Sequence, residues 1–329
     1  MRDARIARTV MDRLVVLGQT GTMDALERTS QATRASYEDR LMRVLVYIAQ
    51  HLDEDLEVET LARVACFSSY HFHRVFAAGI GEPLSAYVKR VRLERAAALL
   101  VHGVAPIGEV ARRSGFESVE GFGRAFKRAF GVGPGQFRMS LDRAWVDDPR
   151  TRSEDELRER ISARLRRPVA RAVDVEVGRF EGARVVGVRH LGPYHRVGIA
   201  WGRVMVWAAM RGHLTRGARL FGIAHDDPAA VPARELRYDA CVEIEGDVRV
   251  GRGVSLIEIP ALEVAVARHE GPYDSIPQTY EYLFGNWLGG SGREPGDFPS
   301  FCEHPRVRGG RRSGDGVRAW IHLPLKELL

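Results

Sequence analysis

The sequence of 329 residues contains one short pattern twice: an arginine between two phenylalanines, Phe-x-Arg-x-Phe. The arginine is Arg74 in the first copy and Arg124 in the second, 50 residues later. Phenylalanines four positions apart lie on one face of a helix, so they can anchor it in a core and leave the arginine on another face. An outward guanidinium offers planar pairs of hydrogen-bond donors. The pattern therefore indicates binding of an acceptor-rich partner.

Each copy belongs to a larger unit that the apolar spacing defines. A shorter helix precedes the pattern, and the break between the two helices ends in a serine, Ser69 or Ser118, which suits the start of a helix. The predicted helices of the first unit are 58–65 and 70–78. A long helix over 84–102 then leads to the second unit. The spacing thus predicts two helix-turn-helix units on one connecting helix.

Charge and cysteine content narrow the class of protein. The formal net charge is +6 and the pI about 9.5, and residues 84–143 alone carry 11 Lys and Arg against 5 Asp and Glu. This distribution favours an anionic partner. The three cysteines lack zinc spacing, and their odd number argues against a disulfide framework. Because there is no apolar run of about 18 residues and no signal peptide, we expect a cytoplasmic protein with no metal, no cofactor and no membrane partner.

The sequence changes character in its second half, where β-branched segments and Gly-Pro turns replace helical periodicity. The motif Arg-His-x-Gly-Pro-Tyr occurs at 189–194 and again at 268–273, an offset of 79 residues. Each copy follows a strand segment and precedes a helix and two more strands. We therefore expect an α+β domain of two pseudo-symmetric strand-helix-strand-strand repeats, which pack as a sandwich with a cleft between them.

The predicted organisation is multidomain. A charged segment at 153–167 separates the two halves and has few apolar positions. We interpret it as a surface helix or spacer in preference to a coupling helix. The predicted parts are an N-terminal tail at 1–35, an all-α domain with tandem helix-turn-helix units at 36–143, a linker at 144–170 and the α+β domain at 171–329.

Residues 40–140 resemble the DNA-binding domain of AraC/XylS-family transcription regulators. The resemblance rests on the two units, the turn Gly-Phe-Glu-Ser at 115–118 and the sequence RAFKRAFGVGPGQFR at 124–138. It implies a sequence-specific DNA-binding regulator whose second helix in each unit enters the major groove. Cys66 stands where the family usually has glycine, and we expect a slightly relaxed turn there because a left-handed backbone is unfavourable for other residues.

The resemblance also implies which side chains meet DNA. Arg74 and Arg124 are the strongest candidates for base reading, because arginine can bond guanine bidentately. The base-reading set is Tyr70, His73 and Arg74 in the first unit and Val119, Glu120 and Arg124 in the second. Phosphate contacts are expected from Lys89, Lys127, Arg128 and Arg138, with Ser69 and Ser118 at the helix starts. The alternative is that these arginines form the solvated surface of an ordinary helical bundle.

Residues 172–326 resemble the GyrI-like effector-binding domain. The matching features are the His-x-Gly-Pro-Tyr turns, the strand RYDACV and the segment FCEHP. The resemblance implies a ligand cleft that contains Glu303, which shares a strand face with Phe301. An aromatic box with one carboxylate suits a lipophilic or cationic ligand. The ligand candidates are Glu303, Tyr194, Tyr238, Tyr273, Trp207, Phe284 and Trp287.

Bland alternatives to these ligand roles remain open. These alternatives are a structural salt bridge or a surface position for Glu303, turn positions that cap the core for the tyrosines, and core positions for the tryptophans.

The functional hypothesis is a transcription regulator, not an enzyme, that binds double-stranded DNA at promoter sites and a small effector. RNA polymerase is a plausible further partner, and the protein is a monomer or a dimer. One alternative is a regulator whose C-terminal domain hydrolyses a small molecule. Another is a DNA-binding protein that uses this domain for protein partners.

Overall fold

The computed structural model describes residues 29–139, 149, 152–165, 173–215, 217–228, 231–304 and 317–327. Its first half is helical, as predicted. The helices are α1 over residues 29–50, α2 (Val58–Val64), α3 (Ser69–Ile80), α4 (Leu84–His102), α5 (Ile107–Arg113), α6 (Val119–Phe130), α7 (Pro134–Met139) and α8 (Glu154–Leu165). Within this described part of the chain, no helix combines the length and apolarity that crossing a membrane requires.

The two helix-turn-helix units are α2–α3 and α5–α6, and α4 connects them. In each second helix the two phenylalanines are fully buried, as their spacing predicts. The rings of Phe76 and Tyr87 join α3 to α4 edge to face at 5.6 Å. Ser118 caps α6, because its Oγ accepts a hydrogen bond from the backbone N of Gly121 at 3.1 Å. The same phenylalanine spacing therefore fixes both second helices on α4.

Two boundaries differ from the prediction. Residues 29–35, assigned above to a tail, belong to α1, and Thr29 lies against Gly292 of the C-terminal half. The predicted spacer contains α8, whose Ile161 and Leu165 are buried in the same core as α1 and α3. Of the two expected structures, a surface helix or a spacer, this segment forms the surface helix, because two apolar side chains one helical turn apart fix it on the core. The rest of the linker, 140–148, 150–151 and 166–172, lies outside the described residues.

The turn at Cys66 keeps the left-handed backbone, with φ 56°, so the expected relaxation is wrong. The cause is a pair of hydrogen bonds that closes the turn: Cys66 N donates to Arg63 O and Phe67 N to Ala62 O, both at 3.0 Å. The second unit closes in the same way around Gly115, with φ 75°. The repeated hydrogen bonds impose one backbone shape on two different residues.

The second half forms one antiparallel sheet of eight strands in the order β1-β6-β8-β7-β3-β4-β2-β5. Helices α9 and α10 pack on the sheet, and α10 continues through a π-helical turn, Leu283–Trp287, into α11. The elements are β1 (Val175–Phe180), β2 (Ala183–Leu191), α9 (Gly198–Met210), β3 (Leu220–Ala224), β4 (Arg237–Glu243), β5 (Ser255–Ile259), β6 (Leu262–Gly271), α10 (Ile276–Tyr282), α11 (Leu288–Gly290), β7 (Phe301–His304) and β8 (Val317–Leu325).

The two predicted strand-helix-strand-strand repeats are confirmed, and each begins with an additional strand. The additional strands are exchanged: β1 of the first repeat pairs with β6 of the second, and β5 of the second pairs with β2 of the first. The two halves meet where β3 pairs with β7. In both Gly-Pro turns a histidine contacts a backbone carbonyl, His190 to Pro193 O at 3.1 Å and His269 to Pro272 O at 3.3 Å. The repeats thus share one sheet and not two facing sheets.

We predict that Cys66→Gly stabilises the protein by about 1 kcal/mol, because glycine adopts the left-handed backbone without the steric cost that a Cβ brings. The measurement is the free energy of unfolding in urea. Gly115→Ala is the matched variant in the second unit, where an added Cβ would lie 2.0 Å from the carbonyl oxygen of Leu52. It is expected to destabilise. Equal unfolding free energies for Cys66→Gly and the wild type would contradict this account.

Candidate DNA-binding and effector-binding sites

The residues of α6 that were predicted to read bases are exposed. Val119, Glu120 and Arg124 are exposed, while only Phe122 and Phe126 of this helix are buried. Acidic and basic groups on this face lie next to solvent, free to meet the edges of base pairs in a groove about 12 Å wide. The second unit therefore has the geometry of an unobstructed recognition helix.

Helix α3, its counterpart in the first unit, is covered by the C-terminal domain. Beyond its two phenylalanines it buries His71, whose side chain is fully inaccessible and whose Nε2 lies 3.1 Å from Phe298 O. The segment 296–300 runs along the helix, since Ser68 Oγ lies 3.4 Å from Gly296 O at its other end. This face of α3 is an interface within the chain.

Arg74 occupies the centre of that interface. Its Nη1 donates to Ser300 Oγ at 2.9 Å, and its Nη2 lies 3.5 Å from the carbonyl oxygen of Asp226. The guanidinium carbon lies 4.5 Å from the ring centroid of Tyr280 and 5.5 Å from that of Phe284. The Arg74 guanidinium, which was predicted to contact DNA, is therefore bound within the chain by oxygen acceptors and two aromatic rings.

An acidic loop after β3, residues 225–228, faces the same helix. The ring of Tyr70 lies 6.5 Å from that of His225. Burial lowers the pKa of His73, and the negative charges of Asp227 and Asp226 oppose that change. The three predicted base readers of the first unit thus all lie beside the C-terminal domain, although the ring of Tyr70 is still 38% exposed.

The predicted phosphate contacts divide into two groups. Lys89, Lys127 and Arg128 are exposed. Arg138 is partly buried, and its Nη2 donates to the carbonyl oxygen of Ala105 at 2.6 Å. This bond gives Arg138 a structural role that the sequence does not reveal. Ser69 is exposed at the start of α3, where no serine side chain caps the helix.

Aromatic side chains from both repeats cluster between α9 and α10, and we call this cluster the aromatic cleft: Tyr194, Trp201, Tyr238, Tyr273, Tyr280 and His304. The rings of Tyr194 and Tyr238 are 5.7 Å apart, and the ring of His304 is 5.2 Å from Trp201 and 5.9 Å from Tyr273. The cleft brings together three of the predicted ligand residues, Tyr194, Tyr238 and Tyr273. It adds three that the sequence reasoning missed.

The cleft is lined by uncharged groups. Burial lowers the pKa of His304 to about 4 and raises that of Tyr194 to about 12. Burial also raises the pKa of Tyr238 well above its ordinary value. At neutral pH these rings therefore offer π faces, hydroxyl groups and neutral imidazole nitrogens, and no formal charge.

Glu303 does not lie in this cleft, which corrects the predicted box of aromatic rings around one carboxylate. Cys302 packs in the core beneath α10, while Phe301 packs in a second core on the other face of the sheet. Glu303 shares the face of Phe301 because strand side chains alternate. Its Oε2 lies 3.5 Å from Nε2 of His322. Glu303 thus lies beside His322 on the other face of the sheet, and His304 takes the place in the cleft.

Of the other predicted ligand residues, Phe284 stacks on Tyr280 at the edge of the cleft, with ring centroids 6.4 Å apart, and the two tryptophans lie farther away. Trp207 is on α9 but contacts His213 and Arg211, with the guanidinium of Arg211 4.5 Å from its ring. Phe284 is buried against His71 and Arg74 in the interdomain interface. Trp287 packs beside the core that the two halves share. The expectation that all of them line one pocket is therefore wrong.

Comparison with known proteins defines both halves. A family model described as a GyrI-like small molecule binding domain matches residues 174–305, and one described as a helix-turn-helix domain matches residues 61–140. The chain joins an AraC-type helix-turn-helix domain to a GyrI-like domain. Among the residues that the structure describes, no group of three or more His, Cys, Asp or Glu could hold a metal ion.

Several relatives that match about a third of this chain are named as transcriptional regulators. The transcriptional regulator YbfP of Bacillus subtilis (strain 168) is 35% identical over 107 residues, 32% of this chain and 36% of YbfP. The transcriptional regulator Rob of Salmonella typhimurium is 33% identical over 99 residues, 30% of this chain and 34% of Rob. The chain thus spans about a third of these relatives' length. The DNA-binding domain of AdpA, solved with a target DNA, is 33% identical, covers 30% of this chain and 88% of that one, and has a TM-score of 0.29.

We predict that acid weakens the packing of the AraC-type domain on the GyrI-like domain. Burial and the charge of Arg74 lower the pKa of His71 to about 3. A freely exposed histidine titrates near 6.5, so the packed state loses stability as the pH falls below about 6.5. Between pH 7 and pH 5.5 the loss is about 1 kcal/mol.

The check is urea unfolding of the wild type and of His71→Gln at both pH values. Glutamine keeps an amide donor for Phe298 O but does not titrate. We expect the wild type to lose about 1 kcal/mol more than the variant over this interval. An identical pH dependence in both proteins would contradict the assignment.

Proposed function

We propose that this protein is a transcription regulator whose AraC-type domain binds promoter DNA and whose GyrI-like domain binds a small lipophilic cation that controls DNA binding. The observation that carries the proposal is the guanidinium of Arg74 over the ring of Tyr280, 4.5 Å from its centroid. The GyrI-like domain already holds a cation on an aromatic surface, at the point where the DNA-binding domain meets it.

The DNA-binding half rests on the exposed face of α6. A helix about 10 Å across fits the major groove of B-DNA. Arg124 and Glu120 carry the donors and acceptors that read base edges, and Arg128 lies one turn beyond Arg124 on the same helix. Because one chain carries two units, a monomer can occupy two successive segments of the groove.

The ligand class follows from the lining of the aromatic cleft. Tyrosine and tryptophan faces attract cations through the ring quadrupole. Tyr194 adds a hydroxyl group that donates to Asp226 O at 2.8 Å. With Glu303 on the opposite face of the sheet, the proposal depends on aromatic faces and backbone carbonyls, and not on a carboxylate. A planar or quaternary aromatic cation suits such a site better than an anion or a sugar.

The remaining parts of the proposal concern partners and chemistry. The named relatives are transcription regulators, which supports a regulatory role for this protein. A regulator of this kind acts in the cytoplasm on promoters, where RNA polymerase is the further partner. Hydrolysis of the ligand is the competing function, and product analysis after incubation with a bound cation separates the two.

We predict that Arg124→Ala weakens binding to the promoter DNA upstream of the protein's own coding sequence by about 1–3 kcal/mol and relaxes specificity at one base pair. The reason is the loss of a bidentate contact to a base. The measurement is fluorescence anisotropy with the promoter fragment and with a set of single-base variants of it.

Arg128→Ala is the matched control, because it removes the same charge from the same helix one turn away. It is expected to weaken binding to all sequences alike and to reduce the slope of log affinity against log salt by about 1. If both variants lowered affinity without any change in base preference, α6 would not be a base-reading helix.

A further inference from the structure

The two helix-turn-helix units, although duplicated, differ in what covers them. Arg124 of α6 is exposed, whereas Arg74, at the same place in the repeat, is partly buried in the GyrI-like domain. The position of His71 is taken by Gly121 in the second unit, and that of Ala78 by the exposed Arg128. The sequence of α3, and not the fold of the unit, therefore selects it for this contact.

We propose that Arg74 is an internal ligand of the GyrI-like domain. Its guanidinium fills a cation site made by Tyr280, Phe284, Ser300 and the carbonyl oxygen of Asp226, and it thereby closes the first helix-turn-helix unit to DNA. An external cation that takes this site opens the unit. This inference rests on the proposed function, and it adds the means by which the effector acts.

The closure follows from the space that a recognition helix needs. The predicted base reader Arg74 and its neighbour His71 both contact the segment 296–300 or the helix α10. A major groove about 12 Å wide admits one bare helix and nothing on its outer face. The first unit therefore cannot enter DNA until this segment and α10 move away from α3.

Small residues meet where α3 contacts the π-helical turn after α10. A Cβ added at Gly285 would lie 3.4 Å from that of Ala78, an ordinary van der Waals contact. The second unit has the longer, exposed Arg128 at the position of Ala78. The acidic loop 225–228 supplies Asp226 and Asp227 opposite the basic face of α3. The Asp226 carboxylate is itself paired with Arg237, whose Nη2 lies 2.6 Å from its Oδ1.

The cation site and the aromatic cleft share residues. Tyr280 belongs to both, and the carbonyl oxygen of Asp226 accepts from the Tyr194 hydroxyl at 2.8 Å as well as facing Arg74. Ser300 is fully buried and contacts Arg74 and, through its hydroxyl, Tyr280. A cation bound among these groups competes directly with the guanidinium of Arg74, without any rearrangement transmitted over a distance.

The test uses two variants of one residue in the full-length protein. Tyr280→Leu removes the ring that faces the guanidinium, and Tyr280→Phe removes only the hydroxyl group. We expect Tyr280→Leu to raise affinity for the promoter fragment by about threefold or more, while Tyr280→Phe stays close to the wild type. Ser300→Ala, which removes the hydrogen-bond acceptor, is the second variant and is expected to raise affinity in the same direction. Far-UV circular dichroism verifies that each variant is folded.

A distance measurement reports closure without DNA. Cys66 is exposed at the turn before α3, and Cys241 and Cys302 are buried, so a spin label on Cys66 marks the first unit selectively. The second label goes on Met210→Cys, at an exposed position of α9. We expect one narrow distance distribution in the wild-type background and a broader, longer one with Tyr280→Leu. An unchanged distance together with an unchanged DNA affinity in Tyr280→Leu and Ser300→Ala overturns the proposal.

A ligand-binding experiment distinguishes this inference from the proposed function. Benzamidinium is the probe, because it joins an aromatic ring to a planar cation, and uncharged benzamide is its control. We expect benzamidinium, and not benzamide, to bind the wild type as measured by calorimetry. Its binding is expected to lengthen the distance between the two spin labels and to raise the affinity for DNA. In Tyr280→Leu it is expected to have no further effect on either quantity. Binding of benzamidinium without any opening supports the effector site but overturns the role of Arg74. Opening by Tyr280→Leu with no binding of benzamidinium supports the closure but overturns its release by such cations.

Discussion

The structure depends on one constraint: a recognition helix has a single outward face, and in α3 that face is already packed. His71 and Arg74 place an imidazole and a guanidinium inside the chain, where each must find a partner because an unpaired buried polar group is costly. The segment 296–300 provides both partners. The start of α1 near Gly292 and the packing of α8 against α3 add further contacts around the same helix.

Duplication makes the effect of single side chains visible. Both units use the same buried phenylalanines, the same closing hydrogen bonds and the same left-handed turn, so their backbones are alike. What differs is the outward face, where α3 has His71 and Ala78 and α6 has Gly121 and Arg128. The small side chain of Ala78 lies beside the neighbouring helix, whereas the long charged side chain of Arg128 is exposed to solvent. Docking is therefore a property of a few substitutions on a common scaffold.

The sequence predicts the elements well because their signals are local. Apolar spacing, serine at a helix start and glycine in a left-handed turn each act within a few residues, and the two repeats reinforce them. The contact between α3 and the second half is different, since Arg74 and Ser300 are 226 positions apart. In a sequence, the Arg and His residues of such an interface look the same as Arg and His residues that face solvent. The alternation of side chains in β7 correctly groups Glu303 with Phe301, but which face carries the helices is set by tertiary packing.

A shared guanidinium also limits how strongly the two halves can influence each other. Whatever free energy a ligand gains by displacing Arg74 is the most that it can contribute to opening α3, and by linkage DNA must strengthen ligand binding by the same factor. Cation–π contacts and one or two hydrogen bonds correspond to a modest coupling, on the order of 1–3 kcal/mol. Because α6 stays exposed in the closed form, the protein keeps one unit able to meet DNA. Opening of α3 then adds a second groove contact to an existing one, so the response to a ligand is a graded rise in affinity and not a switch from no binding to binding.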